Sequence, residues 1–246
     1  MGDFFDIFFN FQFMADHFDV VFQGFLVTLK LSAVGGALAL VWGLILAVLR
    51  QVPGKWLAPV RWLVIAYIDC LRGLPLLLVI MLLYSGLATL ATQGLIPRDI
   101  GIPQWFGQPD PFWYGVMALT LTYGAYMAEV YRAGIEAVPR GQTEAARSLG
   151  MSHGQAMRFI IVPQAVRKVI PPLLNDFIAL MKDTALVSVI GLVEAVQAGR
   201  DLYSEFYNPS GFTLGAFMFL IVTIPLARFV DRLIKNQNEK FQRGLP

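Results

Sequence analysis

From Ser32 to Leu49 the chain carries no charged residue at all. A helix rises about 1.5 Å per residue, so this run alone nearly covers the ~30 Å hydrocarbon layer of a bilayer. Four further stretches are similarly apolar, and the five run roughly over 22–49, 57–90, 112–134, 168–199 and 212–235. Each is predicted as a transmembrane helix.

The composition points the same way. Of 246 residues, 57% are hydrophobic and 15% are charged, against about 25% charged in a soluble domain. Apolar runs of this length exclude disorder, and a net charge of +2 gives nucleic-acid binding no electrostatic footing. Cys70 is the single cysteine and sits within an apolar run, so an internal disulfide is impossible and thiol chemistry is not expected. Asp3, Asp6, Asp16 and Asp19 precede the first span without any Lys or Arg. A cleavable signal needs a basic leader, so the chain is expected to enter the membrane through its own first span.

The basic residues give the orientation. Arg50, Lys55 and Arg61 lie in the first loop, and Arg132, Arg140, Arg147, Arg158, Arg167 and Lys168 in the third. The C-terminal part holds Arg228, Arg232, Lys235, Lys240 and Arg243, whereas the opposite side holds Arg98 and Arg200. Positive charge is retained on the cytoplasmic side, which puts the N-terminus outside and the C-terminus in the cytoplasm. Trp56, Trp62 and Tyr67 border the second span and Phe112-Trp113-Tyr114 opens the third, as interfacial aromatics do.

Ahead of the first span, Phe4, Phe8, Phe11, Phe18 and Phe22 recur at helical spacing, with Asp6 and Asn10 elsewhere on the wheel. Two readings stand side by side: a short helix over 1–21 lying on the outer membrane surface, or a plain extension of span one. Neither makes a separate domain. No internal repeat or low-complexity linker divides the chain, so 1–246 reads as one transmembrane domain with a polar loop at 140–167.

That loop is polar without being loop-like. Glu144 to Leu149 are good helix formers, and Gly150 is placed to stop their helix in a left-handed cap. Ser152, with Gln155 three residues on, opens a second helix as a capping box. Pro163 is expected to bend the chain back toward the membrane. Two short helices meeting at Gly150 make a compact knob, and the small side chains of Ala145 and Ala146 would let another protein's backbone come close. A solvated connector that touches nothing is the plainer alternative.

The spacing Glu144-Ala145-Ala146, then Gly150, Ile160 and Pro163, resembles the EAA loop of importer permeases in the ATP-binding cassette (ABC) superfamily, with Val162 where the family has Leu. Gly124-Ala125-Tyr126-Met127-Ala128-Glu129, Arg132-Ala133-Gly134-Ile135, Pro139-Arg140-Gly141-Gln142, Pro163-Gln164-Ala165 and Lys182-Asp183-Thr184 resemble its polar amino-acid branch. So does Arg72-Gly73-Leu74-Pro75-Leu76-Leu77, and the pieces fall in family order over most of residues 20–235. Leu74 stands where Thr is usual, and Ala185 where Ser is usual. The resemblance implies a type I importer-like fold in the bacterial inner (plasma) membrane. It implies a cytosolic ATPase dimer coupled through Gln142, Glu144, Ala145, Ala146, Arg147, Leu149, Gly150 and Pro163. It further implies a second permease protomer, identical or homologous, and an extracytoplasmic solute-binding protein. No cofactor is expected on this chain, ATP being used by the partner subunit.

The chain's own motifs agree with that division of labour, since it has no GxxxxGK[ST], no HExxH and no other metal spacing. His17 and His153 are isolated and read as ordinary surface histidines.

Ionisable groups at membrane depth are costly and default to a pathway or a structural pair. Counted from Pro172, Lys182 falls about 15 Å into the fourth span, with Asp183 and Thr184 beside it. These three are candidates to grip an amino acid's carboxylate and ammonium, or Lys182 and Asp183 neutralise each other or pair across helices. In span two, Pro75 removes a backbone donor and frees the Leu71 carbonyl. Arg72 is then a candidate to meet a substrate carboxylate, to satisfy that carbonyl, or to pair with Asp69. Glu129 is expected to pair with Arg132 three residues on, with Tyr123 and Tyr126 beside it as cavity or packing residues. Lys30 is expected to snorkel and Glu194 to cap the outer end of span four.

The sequence thus predicts an all-α integral membrane permease subunit of five transmembrane helices that admits polar amino acids and is not an enzyme. A permease for another small solute, such as an opine or a sulfur compound, would change only the lining of the pathway. An integral membrane enzyme requires a catalytic cluster at one interface, and no Ser/His/Asp, Cys/His or metal set is present. A scaffold protein would leave Lys182-Asp183 unexplained.

Overall fold

The computed structural model describes residues 2–52 and 54–242, and among them the chain is helical with no strand. Arg243 and the side chains of Asp3, Phe4 and Lys240, to which expectations above refer, lie outside the described residues. In order, the helices are α1 (Gly2–Phe8), α2 (Phe11–Asp16), α3 (Phe18–Gln51), α4 (Ala58–Gly73), α5 (Leu76–Thr92) and a short α6 (Arg98–Gly101). A 3₁₀ turn at Trp105–Gly107 precedes α7 (Asp110–Glu136), α8 (Arg140–Ser148) and α9 (His153–Ala156). A π turn, Met157–Ile161, leads into α10 (Val162–Asp183), and a 3₁₀ segment, Thr184–Ile190, into α11 (Ala195–Phe206) and α12 (Ser210–Gln242).

The centre of the fold is α7 against α3. Lipid tails are as apolar as leucine, so helices in a bilayer gain little from hiding apolar surface and associate through close van der Waals packing. Beside Val21, Phe25, Leu31 and Leu46, the buried side of α3 carries a periodic set of small residues, Gly24, Thr28, Ser32, Gly35, Ala39 and Gly43, of which Gly35 and Gly43 meet α7 and Gly24 meets α11. A Cβ on Gly43 would sit 2.9 Å from the Gly124 carbonyl oxygen, and one on Gly124 only 2.5 Å from the Trp42 ring. The opposite face, with Val34, Leu38, Val41, Ile45 and Val48, is exposed and equally apolar. A helix apolar all round belongs in a membrane or a large core. Tyr114, Leu119, Tyr123 and Met127 of α7 complete the main core with Leu31, Ile80, Leu180 and Val187.

By length and apolarity alone, α3 and the Ser210–Gln237 part of α12 qualify as spans, and α4 with α5 makes a third if taken as one. That falls short of the five expected, α7 and α10 being less apolar and carrying charged residues, among them Glu129, Arg132, Asp176 and the exposed Lys182. The interruption expected at Pro75 is a full break. Leu74 and Pro75 are extended (ψ 139° and 133°), and α4 and α5 diverge by 109°. A proline denies its predecessor the helical region as well as removing its own donor, which accounts for both residues. Cys70, expected within an apolar interior, is exposed on α4.

The predicted fourth span, 168–199, is not one helix. It starts earlier, at Val162, and α10 ends at Asp183. Thr184 and Ser188 then turn their hydroxyls back onto the Met181 and Ala185 carbonyls, both at 2.7 Å, and Gly191 reverses the chain at φ 89°. Glu194 therefore caps the start of α11, accepting from the Val196 and Gln197 amides at 2.9 and 2.8 Å, rather than the end of a span. Pro163 also departs from expectation. It sits in the first turn of α10 just after the π turn, with helical backbone on either side rather than a break like the one at Pro75.

The N-terminal segment is two short helices, not a continuation of α3. Asn10 caps α2 by accepting from the Phe13 amide at 2.9 Å. Its own amide donates to Ser210 Oγ at 3.1 Å, and Ser210 donates to the Ile7 carbonyl at 3.1 Å, tying this end to the first turn of α12. The rings that pack inward are Phe9 on Phe217 and Phe13 on Phe206, with Met14 buried, while Phe11, Phe18 and Phe22 of the predicted stripe are exposed. His17 stacks on Phe13 at 4.2 Å instead of standing alone.

The glycine seam yields a test. Gly43→Val should cost about 1–3 kcal/mol through overpacking and lower the melting temperature in detergent. Gly73→Ala, whose Cβ would meet nothing within 4 Å, should leave it unchanged.

Candidate functional site

By ending α4 at Gly73, the proline break leaves Arg72 on the last turn, turned toward α7. Glu129 is what it meets. Glu129 Oε1 accepts from Arg50 of α3 at 2.8 Å and lies 3.4 Å from Arg72, while Oε2 accepts from Arg132 at 2.5 Å. Arg132 pairs in turn with Glu136. The Arg72 guanidinium lies 5.8 Å from the Tyr126 ring centroid, and the Tyr126 hydroxyl donates to the Arg72 carbonyl at 3.4 Å. One carboxylate thus joins α3, α4 and α7. The i,i+3 pair with Arg132 is present as expected, Arg72 turns to Glu129 and not to Asp69, and Arg50 is a partner the sequence reading counted only as loop charge.

Beside this node is a cavity of about 330 Å³ lined by Arg72, Tyr126, Glu129, Val130, Arg132, Ala133 and Asp176. Asp176, on α10, has a buried Oδ2 with no hydrogen-bond partner. The sequence reading missed it, although a carboxylate in an apolar span carries the same default signal that singled out Lys182.

The expected trio Lys182, Asp183 and Thr184 does not form one site. Lys182 is exposed and, among the described residues, makes no ion pair. Asp183 accepts from Tyr123 at 2.7 Å, linking α10 to α7. Thr184 is fully buried, its hydroxyl engaged by its own helix. Tyr123 is likewise buried and serves that link, so of the two tyrosines only Tyr126 lines the cavity.

The polar loop forms the knob its sequence describes. Gly150 adopts φ 83°, its amide bonds the Arg147 carbonyl at 3.0 Å, and the Met151 amide reaches the Ala146 carbonyl at 3.1 Å. These are the paired bonds of a Schellman cap. Ser152 and Gln155 complete the reciprocal capping box. Glu144, Ala145, Arg147 and Leu149 face outward, Leu149 at 83% exposure, but Ala146 is buried and so lies on the inner side of the knob. Below it, Val138, Ile161 and Ala165 pack the knob onto the end of α7 and the start of α10. Gln164 donates to Gln142 at 3.2 Å and Lys168 to the Ala137 carbonyl at 2.5 Å, adding polar ties across the same junction.

Replacing Glu129 by Gln leaves guanidiniums from three helices without their shared anion. We expect a loss of about 1–3 kcal/mol, read as a lower melting temperature in nanodiscs. Glu136→Gln, at an exposed pair, should shift it by under about 0.5 kcal/mol.

Comparison with known proteins places the chain in a family. Residues 24–239 match the family described as binding-protein-dependent transport system inner membrane component. The chain is 36% identical over 240 residues to the probable glutamine ABC transporter permease protein GlnM of Bacillus subtilis, covering 94% of this chain and all of that one. It is 33% identical to the arginine transport system permease protein ArtQ of the same organism, covering 89% and 94%. Among solved structures, an amino acid ABC transporter with histidines superposes with a TM-score of 0.79 at 33% identity, over 92% of this chain and 98% of that one. The MetNI methionine ABC transporter shares the fold at 18% identity and a TM-score of 0.69. With a helical bundle, a capped outward knob and a family match over nearly its whole length, the chain belongs to the inner-membrane permease components of binding-protein-dependent ABC transporters and is a transport subunit, not itself an enzyme.

Proposed function

We propose that the chain forms one half of the pathway of an ATP-driven importer of polar amino acids in the bacterial inner membrane. The single observation that carries this is the rigid knob at Arg140–Ala156, presented outward and fused at its base to α7 and α10, within a chain whose relatives are named as amino-acid permeases. Five crossings follow if α3, the broken α4–α5 pair, α7, α10 and α12 each traverse the bilayer. The basic residues then put the N-terminus outside and the knob in the cytoplasm.

On this reading the cytosolic ATPase dimer docks on Glu144, Ala145, Arg147 and Leu149, while Gln142, Ala146, Gly150 and Pro163 hold the knob's shape. ATP stays on the partner, and no cofactor is required of this chain. A second permease protomer supplies the other half, and an extracytoplasmic solute-binding protein delivers the substrate. Closure of the ATPase dimer draws the two knobs together. Because each knob is packed on α7 and α10, the pull reaches the helices that carry Tyr126, Glu129 and Asp176, and the pathway alternates between its two openings. Arg72, at the Pro75 break, lines it. Tyr123 lies on α7, Lys182 and Asp183 at the end of α10 and Thr184 just beyond it, and Asp183–Tyr123 braces the two helices.

Uptake into vesicles with and without the ATPase partner tests the reading, since transport independent of ATP and of that partner would exclude it. Gly150→Pro and Glu144→Lys should each reduce uptake by at least about tenfold while membrane insertion is kept, because one removes the left-handed cap and the other inverts a charge on the docking face. Normal uptake by both variants would remove the knob from the mechanism.

A further inference from the structure

The cavity beside Glu129 has an uneven division of its charges. Glu129 has two close partners in Arg50 and Arg132, and Arg132 has a second in Glu136. Those groups neutralise one another. Arg72 keeps a longer 3.4 Å contact that Glu129 does not need, beside the Tyr126 ring, and Asp176 lines the same cavity with no hydrogen bond or ion pair among the described residues, its Oδ2 being buried. One cation and one anion on the same cavity wall are therefore available. A carboxylate without a partner at this depth is costly, and part of that cost is recovered when a donor reaches it from the cavity.

We propose that this cavity reads the zwitterionic head of a single amino acid whose side chain is uncharged, Asp176 taking the α-ammonium and Arg72 the α-carboxylate. The inference rests on the amino-acid transport reading and names the substrate class of that same pathway. Both available charges are consumed by the head group, so a charged side chain finds only Tyr126, Val130 and Ala133, or groups already paired. A volume of about 330 Å³ suits one small ligand and not a peptide. The guanidinium presents a planar fork that matches a carboxylate, and the Tyr126 ring lies beside it at 5.8 Å. Arg72 lets go of Glu129 at little cost, because Glu129 keeps Arg50 and Arg132. Asp176 on α10 and Arg72 on α4 are then bridged by the substrate itself, which couples occupancy to the relative position of those helices.

The test uses the assembled permease–ATPase complex in nanodiscs without binding protein, so that selection by the delivery protein is bypassed. Tritiated glutamine, arginine and glutamate serve as neutral, cationic and anionic probes. Glutamine should bind at least about tenfold tighter than the other two, and N-acetylation or amidation of its carboxyl should each weaken binding about tenfold or more. Asp176→Asn should erase the penalty for N-acetylation and keep that for amidation, and Arg72→Gln should do the reverse. Arginine or glutamate binding as tightly as glutamine, binding of none of the three, or an intact acetylation penalty in Asp176→Asn would each overturn the proposal. If Asp176→Asn loses its melting transition, Arg72→Gln and the wild-type analogue series decide alone. ATP-dependent uptake in proteoliposomes with the binding protein is run in parallel. Failure of all uptake sinks the transport reading, whereas uptake with no discrimination among analogues sinks only this one.

Discussion

The close approach of α3 to α7 is the constraint from which the rest of the molecule follows. A bilayer gives two apolar helices little reason to associate, and the seam is made by removing side chains until backbones touch. Gly43 against the Gly124 carbonyl and Gly35 against Leu119 show how little room is left. Glycine weakens an isolated helix in water, but here its missing side chain is what allows dispersion contacts along the whole length of α3. With α7 fixed at the centre, the helices around it have a common interior toward which to turn their polar groups.

What they turn inward separates structure from function. Glu194 and Asp176 are both carboxylates in predicted spans, yet their surroundings are opposite. Glu194 is wholly buried and receives two backbone amides and the Thr28 hydroxyl, so α11 starts where it must. Asp176 is less buried, faces a cavity, and leaves an oxygen unmatched. A satisfied buried charge holds an element in place, whereas an unsatisfied one is held there by the fold at a cost. Glu129 stands between these cases, with enough cationic partners to release one. The knob acts on the same helices from outside. Its base is packed on α7 and α10, so force applied to α8 is delivered to the two elements that carry these groups.

Much of this was legible in residue order because its causes are local. Gly150 needs a left-handed backbone, Ser152 and Gln155 need only each other, and Pro75 blocks its own hydrogen bond, so the cap, the capping box and the break could be read off the chain. The failures have a common origin in partners distant along the sequence. Arg50 looked like a loop charge because Glu129 is 79 residues away. Lys182 and Asp183 looked like one site because they are adjacent, but neighbours on a helix diverge by about 100°, and Asp183 found Tyr123 while Lys182 stayed outside. The fourth span was overextended because Ala185 to Val193 is as apolar as a helix. Hydroxyls bending the chain at Thr184 and Ser188, and the reversal at Gly191, carry no hydropathy signal. Ala146 was read as half of a smooth docking face, when its small size serves packing beneath.

The stitch through Ile7, Asn10 and Ser210 joins residues 200 or more positions apart. A ribosome makes one side of it almost at once and the other only after nearly every other helix has emerged. The opening turns must therefore wait, with Phe9 and Phe13 lacking their partners on α11 and α12, until translation is almost complete. Nascent chains interrupted before Ser210 would keep Phe9 available to whatever insertion or quality-control factor surveys unfinished membrane proteins, and synthesis of the last helix would withdraw it.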